Sequence, residues 1–600
     1  MGKQEKDKQF GNLPACAVEF IRLVIKKMRY RKSVRQDVQH ELTVHFEDEL
    51  KGCASDKEKE QKARQLISEF GDVKLLAVLL RRAKKRCRPI WQTVATRTFQ
   101  VAAILLVSLV LYVIWFLTGR PIITTNYLDE LNRIVRPAAD ESLNAAPLYT
   151  KAAELYVKEP NEIHKFIVGK YKEISPEQKQ LINNWISENE QALQLVADAS
   201  KKPYCWREYK THRDTCDTTQ MIAVLIPDLQ NFRGLARALS WRAQLRAEQG
   251  RYEDAFNDLK ACYQFGQHIR GDKSLIEQLV GIAIEAIAVQ TIRDVIGRYH
   301  IDSATLATLQ QDFEQMIANE DFTVSIRFEK LSIYDEIQRV FTGGLGGSHI
   351  IPKCIVELEP AVQVIGLSGG NEGASFTKKQ GQSWLSKLIS GVRYEICELG
   401  GFIYEAGRFI KKTGYILFLH PNKQQTKESV DRVYSYWDRI SRKSPAQIQT
   451  EGIDVEKESM EIVRGNILLE IFTPALGRII ELSHRIRVDV EATLAVIAIL
   501  RYKQDTGDYP AKLDELVTAG YLKELPMDPY TDKPLIYKKT DGNFTLYSIG
   551  SNFKDDGGES GKDSKGRPTK WRDNGDTVFW PVPEFSQEPK GEVGVISLGK

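Results

Sequence analysis

Four groups of residues in this 600-residue chain have types and spacings suited to chemistry. The first is Gly366-Leu367-Ser368-Gly369-Gly370, a GxSxG pattern that follows the apolar stretch AVQVI. Such a pattern activates serine only when a strand, sharp turn and helix expose the hydroxyl and aim backbone amides at an oxyanion. His420 and His484 are the available bases, yet the continuation NEGASFTKKQGQ is a poor helix start and no strand-helix alternation surrounds it. A serine hydrolase acting through Ser368 is therefore the third of three readings. The second group is His40 and His45 in HELTVH, where five residues separate imidazoles that need a spacing of four to share a metal on a helix. His45 is expected at the face of a helical bundle instead. The third group is the C-terminal set Asp555, Asp556, Asp563 and Asp576, near Glu559 and Asp573, whose hard oxygens suit calcium. Calcium is the one cofactor considered, and a solvated acidic loop is the alternative. The fourth is the cysteines. Cys205 and Cys216 share a short loop and are the readiest pair for a disulfide, while reduced cysteines packed as small apolar residues remain the other reading. No CxxC spacing and no GxxxxGK[ST] occurs, so neither a structural zinc site nor a phosphate-binding loop is expected.

The element that positions everything else is the uncharged run FQVAAILLVSLVLYVIWFL from Phe99 to Leu117. At about 1.5 Å per residue it is long enough to cross a hydrocarbon core of roughly 30 Å as a helix. Charge is distributed unequally about it. Met1–Arg97 carries 23 Lys+Arg against 13 Asp+Glu, a net of +10, and the remaining 61 against 67 leave −6. Arg81, Arg82, Lys84, Lys85, Arg86, Arg88 and Arg97 precede the run, and only Arg120 closely follows it. The positive-inside rule then predicts a cytoplasmic N-terminus and an external C-terminus. The same cluster suits anionic headgroups, which removes nucleic acid as the explanation for its charge. With a polar N-terminus and a late apolar run, an uncleaved signal-anchor is expected in place of a signal peptide.

Before the run, residues from about 12 to 88 read as four short helices. Val18, Ile21, Val24 and Ile25 begin the apolar series; Val34, Val38, Leu42, Phe46 and Leu50 continue it after Ser33. Gly52 ends that segment, Ser55 caps a third, and Gly71-Asp72 turns into a fourth rich in leucine. The arrangement HELTVHFEDELKG followed by SDKEKEQKARQLISEFGDVKLLAVLL resembles the HAAS domain, a helical signalling module that bacteria place beside membrane segments. Phe70-Gly71-Asp72 matches the family's turn, with Val73 where proline is common. The resemblance implies a non-enzymatic coupling module, often found with PadR-type transcription regulators.

After the run, amphipathic helical segments dominate to about His484. Ser175-Pro176 signals a capped helix start. LARALSWRAQLRAEQGRYEDAFNDLKACYQFGQHI resembles a tetratricopeptide-like hairpin, with Gly250 at the turn and Ala255 and Ala261 at the close contact. One copy is expected to be a hairpin within an irregular helical body. LIEQLVGIAIEAIAVQTIRDVI is apolar on several faces but carries Glu277, Glu285 and Arg293, which predicts a buried core helix. The glycine-rich stretch from Thr342 to Gly381 reads as a loop, and the aromatic, basic segment that follows as a helix covered by the body.

From Ile486 the pattern changes to a long helix, a short one around Leu513 to Val517, and two strands, PLIYKK and FTLYSIG, about the turn Asp541-Gly542. Tyr502, Lys503, Asp505, Thr506, Gly507, Tyr509 and Pro510, then Asp528, Pro529, Pro534 and Tyr537, then Leu546, Tyr547, Ser548, Gly550, Gly557 and Gly558 fall in a pattern that resembles the soluble part of type II secretion pseudopilins. That resemblance implies a packing and interaction unit without catalytic residues. In the family a membrane helix directly precedes the long helix, whereas here Arg485, Arg487, Asp489 and Glu491 occupy that place. Filament assembly of the usual kind is therefore not expected, and the family's calcium loop is incomplete at Asp563-Ser564.

The expected architecture is mainly α: a basic HAAS-like bundle over 1–97, one transmembrane helix over 98–118, and an extracytoplasmic helical domain over 119–341. A flexible loop over 342–381, a helical continuation over 382–485 and a pseudopilin-like α+β domain over 486–600 follow. The expected function is that of a single-pass interaction or signalling protein of the bacterial inner membrane with no catalytic residues. Its partners would be the lipid bilayer and a cytoplasmic transcription regulator. An envelope or secretion-associated assembly factor, partnered by envelope components, is the second reading.

Overall fold

A computed structural model describes residues 10–86, 90–168, 174–210, 221, 228–318, 320, 322–343, 349–351, 419–472, 475–563 and 566–582. The chain is mainly helical with a small C-terminal sheet, and it forms two compact units, Met1–Trp115 and Phe116–Lys600.

The first unit contains α1 (Ala15–Lys27), α2 (Lys32–Leu50), α3 (Asp56–Phe70) and α4 (Val73–Arg86). Phe20, Ile21, Val24, Val38, Leu42, Phe46, Ala63 and Ala77 make one core, because each lies on the helical stripe that its spacing defines. Ser55 caps α3 by accepting the Glu58 amide, and Gly71 ends that helix at φ 70, both as expected. Ser33 does not cap α2: the helix starts at Lys32, two residues before the start that a Ser33 cap would give, and has no side-chain cap. His45 lies exposed at the bundle face with its ring 5.6 Å from that of Phe70. The next helix, α5 (Ile90–Thr118), contains the apolar run.

The second unit is built from helices in chain order. They are α6 (Tyr127–Val135), α7 (Ala146–Leu155), α8 (Asn161–Val168), α9 (Pro176–Glu188), α10 (Glu190–Ser200), α11 (Leu229–Glu248), α12 (Tyr252–Arg270), α13 (Leu275–Arg298), α14 (Ser303–Ile317) and α15 (Arg327–Val340). After the undescribed stretch come α16 (Lys423–Ser441), α17 (Pro445–Thr450), α18 (Val455–Val463), α19 (Ile467–Phe472), α20 (Ala475–Thr506) and α21 (Asp514–Thr518). Ser175 and Gln178 form a reciprocal capping box at the start of α9. Helices α11 and α12 make the anticipated hairpin, turning at Gly250 with φ +75.

Helix α13 is the spine of this unit and packs against α11, α12 and α20. Its approach to α12 is set by two glycines: a Cβ on Gly281 would lie 2.5 Å from the Arg270 amide nitrogen, and one on Gly266 would lie 2.6 Å from Glu285. Helix α20 begins 11 residues before Ile486 and packs along α13 and α14. The C-terminal segment therefore joins the helical body through its own long helix.

The sheet has two pieces. β1 (Met527–Asp528) pairs with β2 (Lys533–Pro534), and β3 (Ile536–Thr540), β4 (Asn543–Ser548) and β5 (Thr577–Trp580) form an antiparallel meander. Thr540 pairs with Asn543 across the two-residue turn Asp541-Gly542, where Gly542 takes φ 77. Strand β5 is an addition to the sequence reading. Its four residues are all buried, so it carries none of the alternation by which half-exposed strands announce themselves.

Candidate functional site

Two helices are long and apolar enough to cross a membrane, and they differ in what covers them. In Val94–Phe116 only 6% of the apolar window is buried; in Leu275–Arg298, 67% is. Phe99, Ile104, Leu105, Leu106 and Leu111 all stand exposed on the first. A bare apolar surface of this length is compatible with a membrane span. At its far end the exposure stops abruptly. Phe116 is buried, its ring stacks on His349 at 4.6 Å, and its carbonyl accepts a hydrogen bond from His349 Nε2 at 3.0 Å. A bridge between Pro121 and Thr342 ties the following chain to the segment after α15.

The charged residues that interrupt α13 are explained by ion pairs. Glu277 accepts from Tyr209 Oη at 2.6 Å and pairs with Arg207; Glu285 pairs with Arg270 at 2.8 Å; Arg293 pairs with Asp489 of α20 at 2.6 Å and also donates to the Asp489 carbonyl. They recur every eight residues and each fastens the spine to a different segment. Lys570 also meets Asp489 at 3.3 Å, and these two cations hold its carboxyl below the usual range against the opposing effect of burial.

A polar cleft of about 970 Å³ opens where α12, α15 and α16 meet and is lined by His268, Arg270, Asp272, Glu320, Arg327 and Tyr434 among others. Its charges are already matched: Arg270 with Glu285 and Glu320, and Arg327 with Asp272. His268 is buried with Nδ1 2.9 Å from the Tyr149 hydroxyl, and desolvation depresses it to about 3. Glutamates are shifted the other way by burial, three of them furthest. Glu285 rises to about 7, and Glu329 and Glu336 to about 8. A neutral carboxylic acid is chemically able to donate a proton. The Glu329 carboxyl, however, is sealed, although other atoms of the residue are partly exposed, and its Oε1 accepts the Leu275 amide at 2.6 Å. Glu336 is buried within α15. These acids are packed among other side chains of the helical body.

The candidate calcium ligands are brought together in part. Asp576 is buried, and its two oxygens accept the amides of Asp556 at 3.2 Å and Gly558 at 2.7 Å. Burial is the main cause that raises its pKa, and the charges of Asp555 and Asp556 add to it. Asp555 accepts from the Tyr547 hydroxyl and the Gly557 amide, both at 2.9 Å, and Asp556 accepts from Asn552. Asp563 turns elsewhere, to the Arg567 guanidinium and amide. The carboxylates thus satisfy protein donors within the loop, and among the described residues no three His, Cys, Asp or Glu side chains converge as metal ligands. The Glu559 carbonyl accepts the Asp576 amide at 2.8 Å, and Asp573 accepts from Ser551.

Ser368 and Cys216, and with them the elbow and the disulfide, lie outside the described residues. His420 Nδ1 donates to the Pro421 carbonyl, and His484 is depressed to about 4 chiefly by desolvation. The thiol of Cys205 lies 3.6 Å from Lys273 Nζ. Neither protein-family profiles, curated proteins nor solved structures give a match to this chain.

Proposed function

We propose that this chain is a single-pass, membrane-anchored interaction or signalling protein, with the N-terminal bundle in the cytoplasm and the larger unit outside. The observation that carries this reading is the bare apolar surface of Val94–Phe116, which lies between a basic bundle and a larger unit with its own core. The charge asymmetry supports the orientation. The HAAS-like pattern supports a coupling role for the bundle, with a cytoplasmic regulator as its partner. No catalytic step is assigned.

The pseudopilin-like C-terminal pattern supports the second reading, an envelope or secretion-associated assembly factor. Proximity labelling in intact cells separates the two. Enzyme fused at the N-terminus should mark a cytoplasmic regulator if the chain signals, and enzyme fused at the C-terminus should mark envelope assembly components if it assembles. Protease added to spheroplasts should remove the larger unit and spare the bundle; the reverse protection pattern would overturn the orientation.

A further inference from the structure

Helix α4 is apolar on two faces. Leu76 and Leu80 pack with Ala77 against the bundle core. On the opposite side Leu75, Val78 and Leu79 are 59%, 45% and 51% exposed. These three occupy positions i, i+3 and i+4, so they form one outward stripe, and Arg82 continues its line seven residues after Leu75. Arg81, Arg82 and Lys85 are exposed beside it, and the sequence of the helix, VKLLAVLLRRAKKR, holds no acidic residue.

We propose that this outward face of α4 seats on the anionic surface of the membrane that α5 crosses, with Leu75, Val78 and Leu79 in the interface and Arg81, Arg82 and Lys85 against lipid phosphates. Three observations select this occupant. The first is charge complementarity: a helix with no acid repels a second copy of itself and attracts a negative surface. The second is chain continuity. Three residues separate Arg86 from Ile90, so over four Cα steps the helix is tethered within roughly 14 Å of the next helix even if that link is fully extended. The third is the order along the helix, apolar first and basic at the end next in the chain to α5, which matches a helix lying in the interface with its cations at headgroup level beside the span. Lys84 is excluded from this set because it pairs with Glu41 of the bundle. The inference rests on the single-pass reading and adds a second, peripheral membrane contact that fixes the bundle against the leaflet.

The test uses the full chain in vesicles of phosphatidylcholine with and without phosphatidylglycerol. A fluorescent amino acid is placed singly at position 79, at position 105 within the apolar run, or at Lys57 on exposed α3. Brominated lipid should at least halve the emission at 79 when phosphatidylglycerol is present. That quenching should fall away in high salt and in Arg82→Glu with Lys85→Glu, while position 57 stays unquenched. Quenching at 105 with none at 79 would overturn this inference and leave the anchor standing. Quenching at neither position would overturn both. Energy transfer between labelled copies at 79 without lipid quenching would assign the stripe to a second copy and would also overturn it.

Discussion

Arg293 shows at residue scale how a charge belongs in an apolar helix. It is only 1% exposed, yet it donates to the carboxylate and carbonyl of Asp489 and to Thr493, which joins α13 to α20. Breaking such a pair from one side leaves Asp489 buried with Lys570 as its remaining cation. Arg293→Met should destabilise the larger unit by about 3–5 kcal/mol, and adding Asp489→Leu should restore part of that loss, as read from urea midpoints of the three variants. An Arg293→Met midpoint equal to that of the parent would remove the bridge from the account. Glu336 supplies a pH-dependent counterpart. Its folded pKa of about 8 stands above the ordinary 4.5 because burial disfavours the charged form. Its contribution is therefore complete below 4.5 and is lost as pH rises through about 8, at up to roughly 1.4 kcal/mol per pH unit. Glu336→Gln mimics the protonated form, so the melting temperature of the variant relative to the parent should climb steadily from pH 5 to pH 8. A constant offset across that range would contradict the assignment. His268 and His484 act in the other window: their folded values are depressed, so the stability they carry is present above 6.5 and is lost on acidification towards about 3 and 4.

Helices α5 and α13 are both long and apolar, and at element scale they differ in charge and in partners. α13 is wrapped by α11, α12 and α20 and crosses α12 where Gly266 and Gly281 let two backbones touch. Gly281→Ala places a methyl 2.5 Å from backbone that has no side chain to move aside, and should lower the melting temperature by an amount equivalent to about 1–3 kcal/mol. α5 has no such cover. Leu105→Arg with Leu109→Arg puts two charges mid-run at about 2.5–3.5 kcal/mol each, and should convert a carbonate-resistant membrane protein into an extractable one. Full carbonate resistance in that double variant would remove the membrane span. The helix ends show why some local signals are reliable: Ser55, Ser175 and Gly71 each satisfy or free groups within one turn. Ser33 had the right chemistry two positions too late, since nothing local separates a start at Lys32 from one at Val34.

On the scale of the whole molecule, the two compact units make a direct prediction: removing residues 10–86 should leave the unfolding transition of the larger unit unchanged in calorimetry of the detergent-solubilised protein. A lowered transition would mean that the units stabilise one another. Within the larger unit the C-terminal module does not stand alone. Its helix α20 spends one face on α13 and α14, and Lys570 returns from the loop to Asp489. Arg485 and Arg487 are likewise engaged, with Glu481 and Glu491 respectively. Those four charges along α20, out of place for a lipid-facing helix, are in place for one that packs against protein.

What the amino-acid sequence determined alone is whatever depends on composition and on neighbours a few residues apart. The apolar run, its basic approach, the bundle's helical stripes, the Gly250 hairpin and the Asp541-Gly542 turn are all of this kind. The charges in LIEQLVGIAIEAIAVQTIRDVI already marked it as the covered helix, and only the tertiary structure decided that α11, α12 and α20 do the covering, because a local pattern does not name its packing partners. It alone decided where Glu277, Glu285 and Arg293 find counter-charges, since Arg207, Arg270 and Asp489 come from distant segments. It also gave Asp563 the Arg567 guanidinium and Asp576 the amides of Asp556 and Gly558, because a loop's carboxylates go to whichever donors the fold brings within reach.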